Sequence, residues 1–338
     1  MEETFEGYVP KLAVAGLGGQ GCNLVNRLYN TGIKSAVTVA MNTDGKHLHM
    51  VNAHRKILLG KEVTRGLGAG GFPEMGAKAA ELSANEIRES IAGCNIVFLC
   101  AGMGGGTGGG SAPVVAEIAK REGALVVAFV TYPFSLERSR KNKADWGIAQ
   151  LTKAADTTIV IENDKVLRYA PNLQMEKAFE LIDSIACNAV KGIADTITLP
   201  SLINLDFADV RSIMADGGTA VINIGTGSGS DKVEKAISST IAHPLMDVDL
   251  SGARRAMVHV TGGTGLTISE ATKIGGGVTE GLADDANVIF GARLEPEMKD
   301  TIRVMSIVTG VKAKLGAQKE TAAASRDRIE SAIELETF

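Results

Sequence analysis

The chain has 338 residues, 40 of them Gly and 8 Pro, with 45% hydrophobic, 22% charged and 4% aromatic side chains and a formal charge of −4. Glycine without a three-residue period excludes collagen, and the hydrophobic share excludes a disordered chain; about two domains with an aliphatic core are expected. The negative balance argues against generic nucleic-acid binding, which shows a basic excess, but leaves nucleotide binding open because backbone N–H groups hold phosphates without side-chain charge.

Residues 1–10 are acidic and lack an apolar stretch, so no signal peptide is expected. Strands are predicted at Lys11–Ala15, Ala36–Met41, Asn95–Ala101, Ala124–Thr131 and Thr157–Glu162. Helical patterns lie between them, for example over Pro73–Ile91 and Ser111–Arg121, the latter capped near Ser111 with Pro113 in its first turn. Such alternation predicts a mostly parallel sheet covered on both faces, with ligands at the carboxyl ends of its strands. A long helix is predicted from Leu173 to Ile197, where Phe179, Ile182, Ile185, Ala186, Ala189, Val190 and Ile193 recur at helical spacing. The second half alternates again: strand Ala220–Ile224, a helix after Ser230, strand Ala256–Val260, a helix after Thr267, and strands Asn287–Arg293 and Ile302–Thr309. The segment after Gly316 is polar and ends in an apolar stripe of Ile329, Ile333, Leu335 and Phe338. No apolar run approaches the ~18 residues that span a bilayer, so no membrane insertion is expected. Cys22, Cys94, Cys100 and Cys187 form no C-x-x-C pair and read as reduced, buried thiols of a cytoplasmic protein. His47, His49 and His54 lack metal-ligand spacing and read as solvated or loop residues.

Sixteen of the 40 glycines fall in three clusters, each expected at a strand's carboxyl end or beside it. The first, GLGGQGCN, satisfies G-x-G-x-x-G through Gly16, Gly18 and Gly21, and reads as a phosphate loop or as a tight turn. Asp44 lies where a ribose-binding acid sits in a dinucleotide enzyme. The second, Gly66–Gly76, reads as a phosphate-side loop or as an ordinary surface loop. In the third, seven of the nine residues from Gly102 to Gly110 are glycine. A bare turn needs one or two, so this run reads as N–H groups wrapped around phosphates, with Thr107 adding a hydroxyl. No G-x-x-x-x-G-K-[ST] occurs, which excludes a P-loop enzyme. Two glycine loops on successive strand ends argue against an NAD-dependent oxidoreductase, which has one. In NLDFADV, Asp206 and Asp209 have the spacing of a helix cap.

These segments, in this order, closely resemble the FtsZ family, the prokaryotic relatives of tubulin, over about residues 10 to 315. GMGGGTGGGSAPVVA resembles the family's signature loop. NTD (Asn42–Asp44), PFSLE (Pro133–Glu137), NDKV (Asn163–Val166), AFELID (Ala178–Asp183), NLDFADVRSIM and DLSGAR (Asp249–Arg254) have counterparts there, NLDFADV being the most specific. The tail lacks the long linker of many bacterial members and resembles an archaeal form.

The resemblance implies an α/β, Rossmann-like GTP-binding domain over 1–172, a central helix over 173–199, a second α/β domain over 200–316 carrying the catalytic loop, and a flexible tail over 317–338. It implies a cell-division GTPase that assembles head to tail at mid-cell. Gly18, Gly19, Gln20, Gly21, Cys22 and Asn23 would hold GTP or GDP, with Asn42, Asp44, Gly68, Ala69, Gly70, Gly102, Gly104, Gly105, Gly106, Thr107 and Gly108. Pro133, Glu137 and Arg140 would serve the ribose side, with Lys141 competing for the role of Arg140. Phe179 and Asp183, i and i+4 on one helix face, would stack on and accept from guanine, supported by Asn163; without the resemblance, Phe179 reads equally as a core aromatic. Asn204, Asp206 and Asp209 would act in trans on the neighbouring subunit's nucleotide, with Mg²⁺ held mainly by phosphates and water. A weakly hydrolysing structural paralogue is the alternative, against which the intact Asp206 and Asp209 argue. A membrane-adaptor protein is the expected further partner, with IESAIELETF as its candidate docking peptide.

Overall fold

The computed structural model describes residues 9–165, 172, 174–242, 250 and 253–311. The first half runs β1 Leu12–Leu17, α1 Gly18–Asn30, β2 Val37–Asn42, α2 Gly45–Met50, β3 Arg55–Leu58, α3 Lys61–Thr64, α4 Pro73–Leu82, α5 Ala84–Ile91, β4 Ile96–Gly102, α6 Gly106–Arg121, β5 Leu125–Tyr132, α7 Arg138–Ala154 and β6 Thr157–Glu162. The central helix α8 spans Met175–Thr198. The second half runs α9 Phe207–Met214, β7 Gly218–Ser228, α10 Lys232–Ile241, β8 Arg255–Gly262, α11 Ile268–Thr279, β9 Asn287–Leu294 and β10 Thr301–Thr309.

All these strands form one sheet in the order β3-β2-β1-β4-β5-β6-β7-β10-β8-β9. From β3 to β7 every pairing is parallel. The inner strands are mostly apolar and buried on both faces, as in β1 LAVAGL and β5 LVVAFVTY. One face packs Cys22, Val25 and Leu28 of α1 and Ile182, Val190 and Ile193 of α8 onto Phe98 and Phe129. The other face packs Ala79, Ile87, Val115, Ile148 and Leu151, from α4 to α7, onto Val97, Leu99 and Val126. The sheet enters the second half through a short seam, Thr157–Ile159 of β6 against Gly218–Ala220 of β7. There β10 pairs antiparallel to β7 and β8.

The predicted strands of the first half are present within two residues of their expected ends. Two helix expectations need correction. The span Pro73–Ile91 is two helices, broken at Ser83, whose Oγ accepts from Gly60 N at 3.0 Å and so pins the chain to the loop after β3. The third glycine cluster is mostly helix rather than loop: α6 begins at Gly106, with Gly105 as its N-cap. Ser111 lies inside it and donates back to Thr107 O at 2.7 Å, and Pro113 is interior too.

Close helix packing explains why such poor helix formers are helical. A Cβ on Gly110 would lie 1.9 Å from Pro73 O, and one on Gly76 would lie 2.2 Å from Gly106 O. Helices α4 and α6 therefore meet backbone to backbone, which only glycine permits. Two glycines of the second half have the same explanation. A Cβ on Gly227 would meet Lys232 O at 1.9 Å, and one on Gly225 would meet Thr240 Oγ1 at 2.2 Å, so β7 lies directly against α10.

Gly109 is the control, because the nearest heavy atom to its added Cβ, Gly104 N, is 4.0 Å away. Gly110→Ala is expected to destabilise by about 2 kcal/mol or more, through overpacking against backbone. Gly109→Ala is expected to be neutral or to stabilise by up to ~1 kcal/mol, through helix propensity. Thermal melts of the two variants check the contrast.

Candidate functional site

The parallel strands direct two helix N-termini to one place. Helix α1 starts at Gly18 and α6 at Gly106; neither has a side-chain cap or an acid in its first turn. A Cβ on Gly18 would lie 3.0 Å from Gly108 N, so the two helix starts touch. Their open N–H groups and positive dipole ends make one anion site. The first-turn donors are those of Gly18, Gly19 and Gln20 in α1 and of Gly106, Thr107 and Gly108 in α6. Cys22 and Asn23 lie deeper in α1, where the i→i−4 ladder takes their N–H groups. The Cys22 thiol faces Gly16 O and Met41 O in the core, and burial pushes it up to about 12. Among the expected contacts, Gly19, Gly68 and Gly105 have nothing within 4 Å of an added Cβ: their bare faces look into open space. Gly102 and Gly104 instead pack on protein, a Cβ meeting Gln20 Oε1 at 2.5 Å and Arg140 at 2.8 Å respectively.

The loop 66–72 is sewn to the end of β2. Gly45 N donates to Gly66 O at 3.0 Å and Gly68 N to Thr43 O at 3.1 Å, while Gly66, Gly68, Gly70 and Gly71 all have positive φ. Ala69 is buried beside the start of α6. Four residues that sequence reasoning did not place in the site join it. Thr43 Oγ1 and Thr107 Oγ1 are 2.6 Å apart, tying β2 to α6. Lys143 Nζ donates to Gly71 O at 2.6 Å beneath the exposed Phe72. Thr131 Oγ1 donates to Gln20 Oε1 at 2.8 Å. His47, expected to be a solvated or loop residue, is half-buried in α2 and bridges Asn23 Oδ1 at 3.0 Å and Asn42 Nδ2 at 3.3 Å. Asp44 caps α2 by accepting from His47 N at 3.1 Å. Threonines and a lone lysine carry no spacing signal, so only the fold reveals them.

On the far side of this cradle, Pro133 and Phe134 end the β5 loop. Glu137 Oε1 accepts from Phe134 N at 3.1 Å, and Glu137 Oε2 pairs with Arg140 Nη1 at 2.6 Å. Lys141 instead donates to Ser135 Oγ at 3.0 Å, so Arg140 is the cation beside Glu137. Phe179 is not a core aromatic: it is 38% exposed and meets Phe134 edge to face at 5.6 Å between centroids. One turn along α8, burial raises the Asp183 carboxyl to about 7, only partly opposed by Arg27. Asn163 Oδ1 and Gln20 Nε2 are buried without a partner. An aromatic face, a desolvated acceptor, two orphaned amide atoms and an open N–H cradle fit a purine nucleotide with its phosphates.

Asn204, Asp206 and Asp209 lie elsewhere. The 24 residues of α8 span about 36 Å, carrying the chain from the cradle to the segment before α9. There Asp206 and Asp209 form a capping box: Asp209 N donates to Asp206 Oδ1 at 2.8 Å and Asp206 N to Asp209 Oδ2 at 3.0 Å. The second oxygen of each carboxylate engages no described residue. Asn204 Oδ1 accepts from Ser201 N at 2.8 Å, which shapes the turn and leaves its amide free. Exposed apolar side chains flank both ends, Leu67, Phe72 and Leu136 at the cradle and Leu199, Leu202 and Ile203 beside Asn204. Among the described residues no group of His, Cys, Asp or Glu could hold a metal, and no helix is long and apolar enough to cross a membrane.

Comparison with known proteins agrees with this geometry. Residues 11–171 match the family model described as the GTPase domain of the tubulin/FtsZ family, and residues 218–312 match the C-terminal domain of the FtsZ family. The chain is 52% identical over 314 residues to cell division protein FtsZ 2 of Methanocaldococcus jannaschii, covering 92% of this chain and 83% of that protein. It is 49% identical over 304 residues to cell division protein FtsZ 2 of Haloferax volcanii, covering 90% and 76%. An empty FtsZ dimer from M. jannaschii superposes with a TM-score of 0.85 at 42% identity, over 93% of this chain and 95% of that one. The chain belongs to the tubulin/FtsZ family of GTPases.

Proposed function

We propose that this chain is a polymerising GTPase of cell division that hydrolyses GTP between subunits stacked head to tail. The observation that carries the reading is the separation of two half-sites. One end has the nucleotide cradle built on two helix N-termini, and the other has the capping carboxylates Asp206 and Asp209, each with one oxygen left over. A central helix of 24 residues keeps them apart within one subunit. Stacking a second subunit brings one end onto the other, and the exposed apolar groups at both ends supply area for that contact. The family relationship and the solved dimer of a relative support self-association.

In this reading the N–H groups of α1 and α6 hold the phosphates, and Phe179 stacks on the base. Asp183 accepts the guanine N1–H and exocyclic amine; adenine lacks that donor pair and would leave a buried acceptor unpaired. The incoming subunit's Asp206 and Asp209 use their free oxygens to orient and polarise the attacking water, with the Asn204 amide beside them. Mg²⁺, held mainly by phosphates and water, would offset the phosphate charge. The division into 1–172, 173–199 and 200–316 belongs to this proposal, as do a cytoplasmic location at the division site and a membrane-adaptor partner. The tail 317–338 and its candidate docking peptide lie outside the described residues.

Asp206→Asn separates chemistry from folding, because asparagine also caps helices. GTP affinity and melting temperature are expected to stay near wild type, while turnover in assembled protein falls about 100-fold. Loss of nucleotide binding by this variant would contradict action in trans. Phosphate release, light scattering and a nucleotide-binding titration read the three quantities.

Asp183 gives a pH signature. Its carboxyl is near 7 in the folded protein without nucleotide, against about 3.9 unfolded. The folded state therefore holds the extra proton between these values, and stability of the nucleotide-free protein is lost as pH rises from about 4 through about 7. Asp183→Asn is expected to melt higher than wild type at pH 8, with a smaller gain at pH 5. Its GTP affinity is expected to fall about tenfold or more at pH 8, because an amide donor then faces the guanine N1–H.

A further inference from the structure

Arg293 takes no part in the nucleotide cradle, yet it is a guanidinium only 7% exposed. It lies on the edge strand β9 and faces the end of the central helix. Its Nη2 donates to Asp195 O at 2.6 Å and to Leu199 O at 3.3 Å, two carbonyls of the last turn and cap of α8. Its Nε donates to Ser201 Oγ at 3.2 Å, in the segment that follows. The nearest carboxylate, Glu295, is 3.9 Å from Nη1, so the charge is held mainly by the negative end of a helix.

The two residues before Arg293 hold the same segment. Ala292 exchanges two backbone hydrogen bonds with Ile203, at 3.0 and 3.2 Å. Gly291 leaves room for Leu205, since a Cβ there would lie 2.7 Å from Leu205 Cγ. Three consecutive residues of β9 thus fasten the helix end, Ile203 and Leu205, and Asp206 follows directly. Within the segment, Asn204 Oδ1 and Ser201 N close the turn. Arg293 is the one side chain among these that grips both the helix and the segment. Lysine could not reproduce this, because one ammonium cannot span two carbonyls and a hydroxyl in a fixed fork.

We propose that Arg293 is a positioning residue for GTP hydrolysis: it locks the segment bearing Asn204, Asp206 and Asp209 to the end of the central helix. This rests on the reading of Asp206 and Asp209 as the pair that acts on the neighbouring nucleotide. Its contribution is to turnover rather than to nucleotide binding, because a displacement of about 1 Å in a reacting group costs up to ~100-fold in rate.

The test measures full-length protein with GTP above the assembly threshold, separating kcat per polymerised subunit from KM, beside monomer affinity for a ribose-labelled GDP. Arg293→Met is expected to bind nucleotide as wild type does and to sediment as filaments, with kcat about tenfold lower. Arg293→Lys is expected to recover part of that loss. If Arg293→Met assembles with wild-type kcat and only melts lower, the residue merely stabilises the fold and the proposal is wrong. Should Arg293→Met not fold, Ser201→Ala removes only the Nε contact; a two- to threefold fall in kcat is then expected, and an unchanged kcat overturns the proposal. Asp206→Asn run in parallel keeps the two readings apart. If that variant turns over normally, the catalytic assignment fails; if it is inactive while Arg293→Met matches wild type, only the role of Arg293 fails.

Discussion

The structure depends on backbone meeting backbone around the third glycine cluster. Helix α6 can lie on α4 only because Gly76 and Gly110 carry no Cβ, its start can meet that of α1 at Gly18 and Gly108 and the loop 66–72 at Gly106, and α1 can lie on the ends of β1 and β4 because Gly16 and Gly21 carry none. That proximity brings two positive helix ends together without a side-chain charge. It also explains how a chain with a formal charge of −4 builds a site for a polyanion. The cost is conformational entropy and weak helix propensity, offset by the packing that the glycines permit.

A second constraint is length. The central helix is amphipathic enough to bury Ile182, Val190 and Ile193 against the sheet, and long enough to reach from the cradle to the segment before α9. Its first half carries Phe179 and Asp183, and its last turn is gripped by Arg293. In the proposed function, recognition and chemistry are therefore attached to one rod, the 24-residue central helix.

Much of this was legible in the sequence. Aliphatic runs such as LAVAGL and LVVAFVTY mark buried parallel strands, and the spacing of Asp206 and Asp209 marks a helix cap. The start of α6 was not legible, because local propensity opposes a helix of glycines and only tertiary contact with α4 overrides it. The surplus of glycine was read as a phosphate cradle, whereas many of these residues serve close packing and only Gly19, Gly68 and Gly105 show open faces. His47 and Arg293 escaped for a different reason. Their partners are remote in sequence or are main-chain carbonyls, which no motif encodes. The guanine and catalytic roles came from family resemblance, since Phe179 and Asp206 each had a bland structural reading as good.

The capping box has an evolutionary consequence. Each carboxylate of Asp206 and Asp209 spends one oxygen on the helix and, in the proposed mechanism, would keep one for chemistry, so the fold would tolerate an amide that the reaction would not. An aspartate codon becomes an asparagine codon by one base change. A single point mutation could thus create a subunit that folds, loads nucleotide and enters filaments made by its normal siblings. Its defect would not show at its own nucleotide, which a normal neighbour still serves, but at the one it should itself attack. Mixed filaments would hold such unspent nucleotides at scattered joints, making the allele dominant in the cell rather than silent.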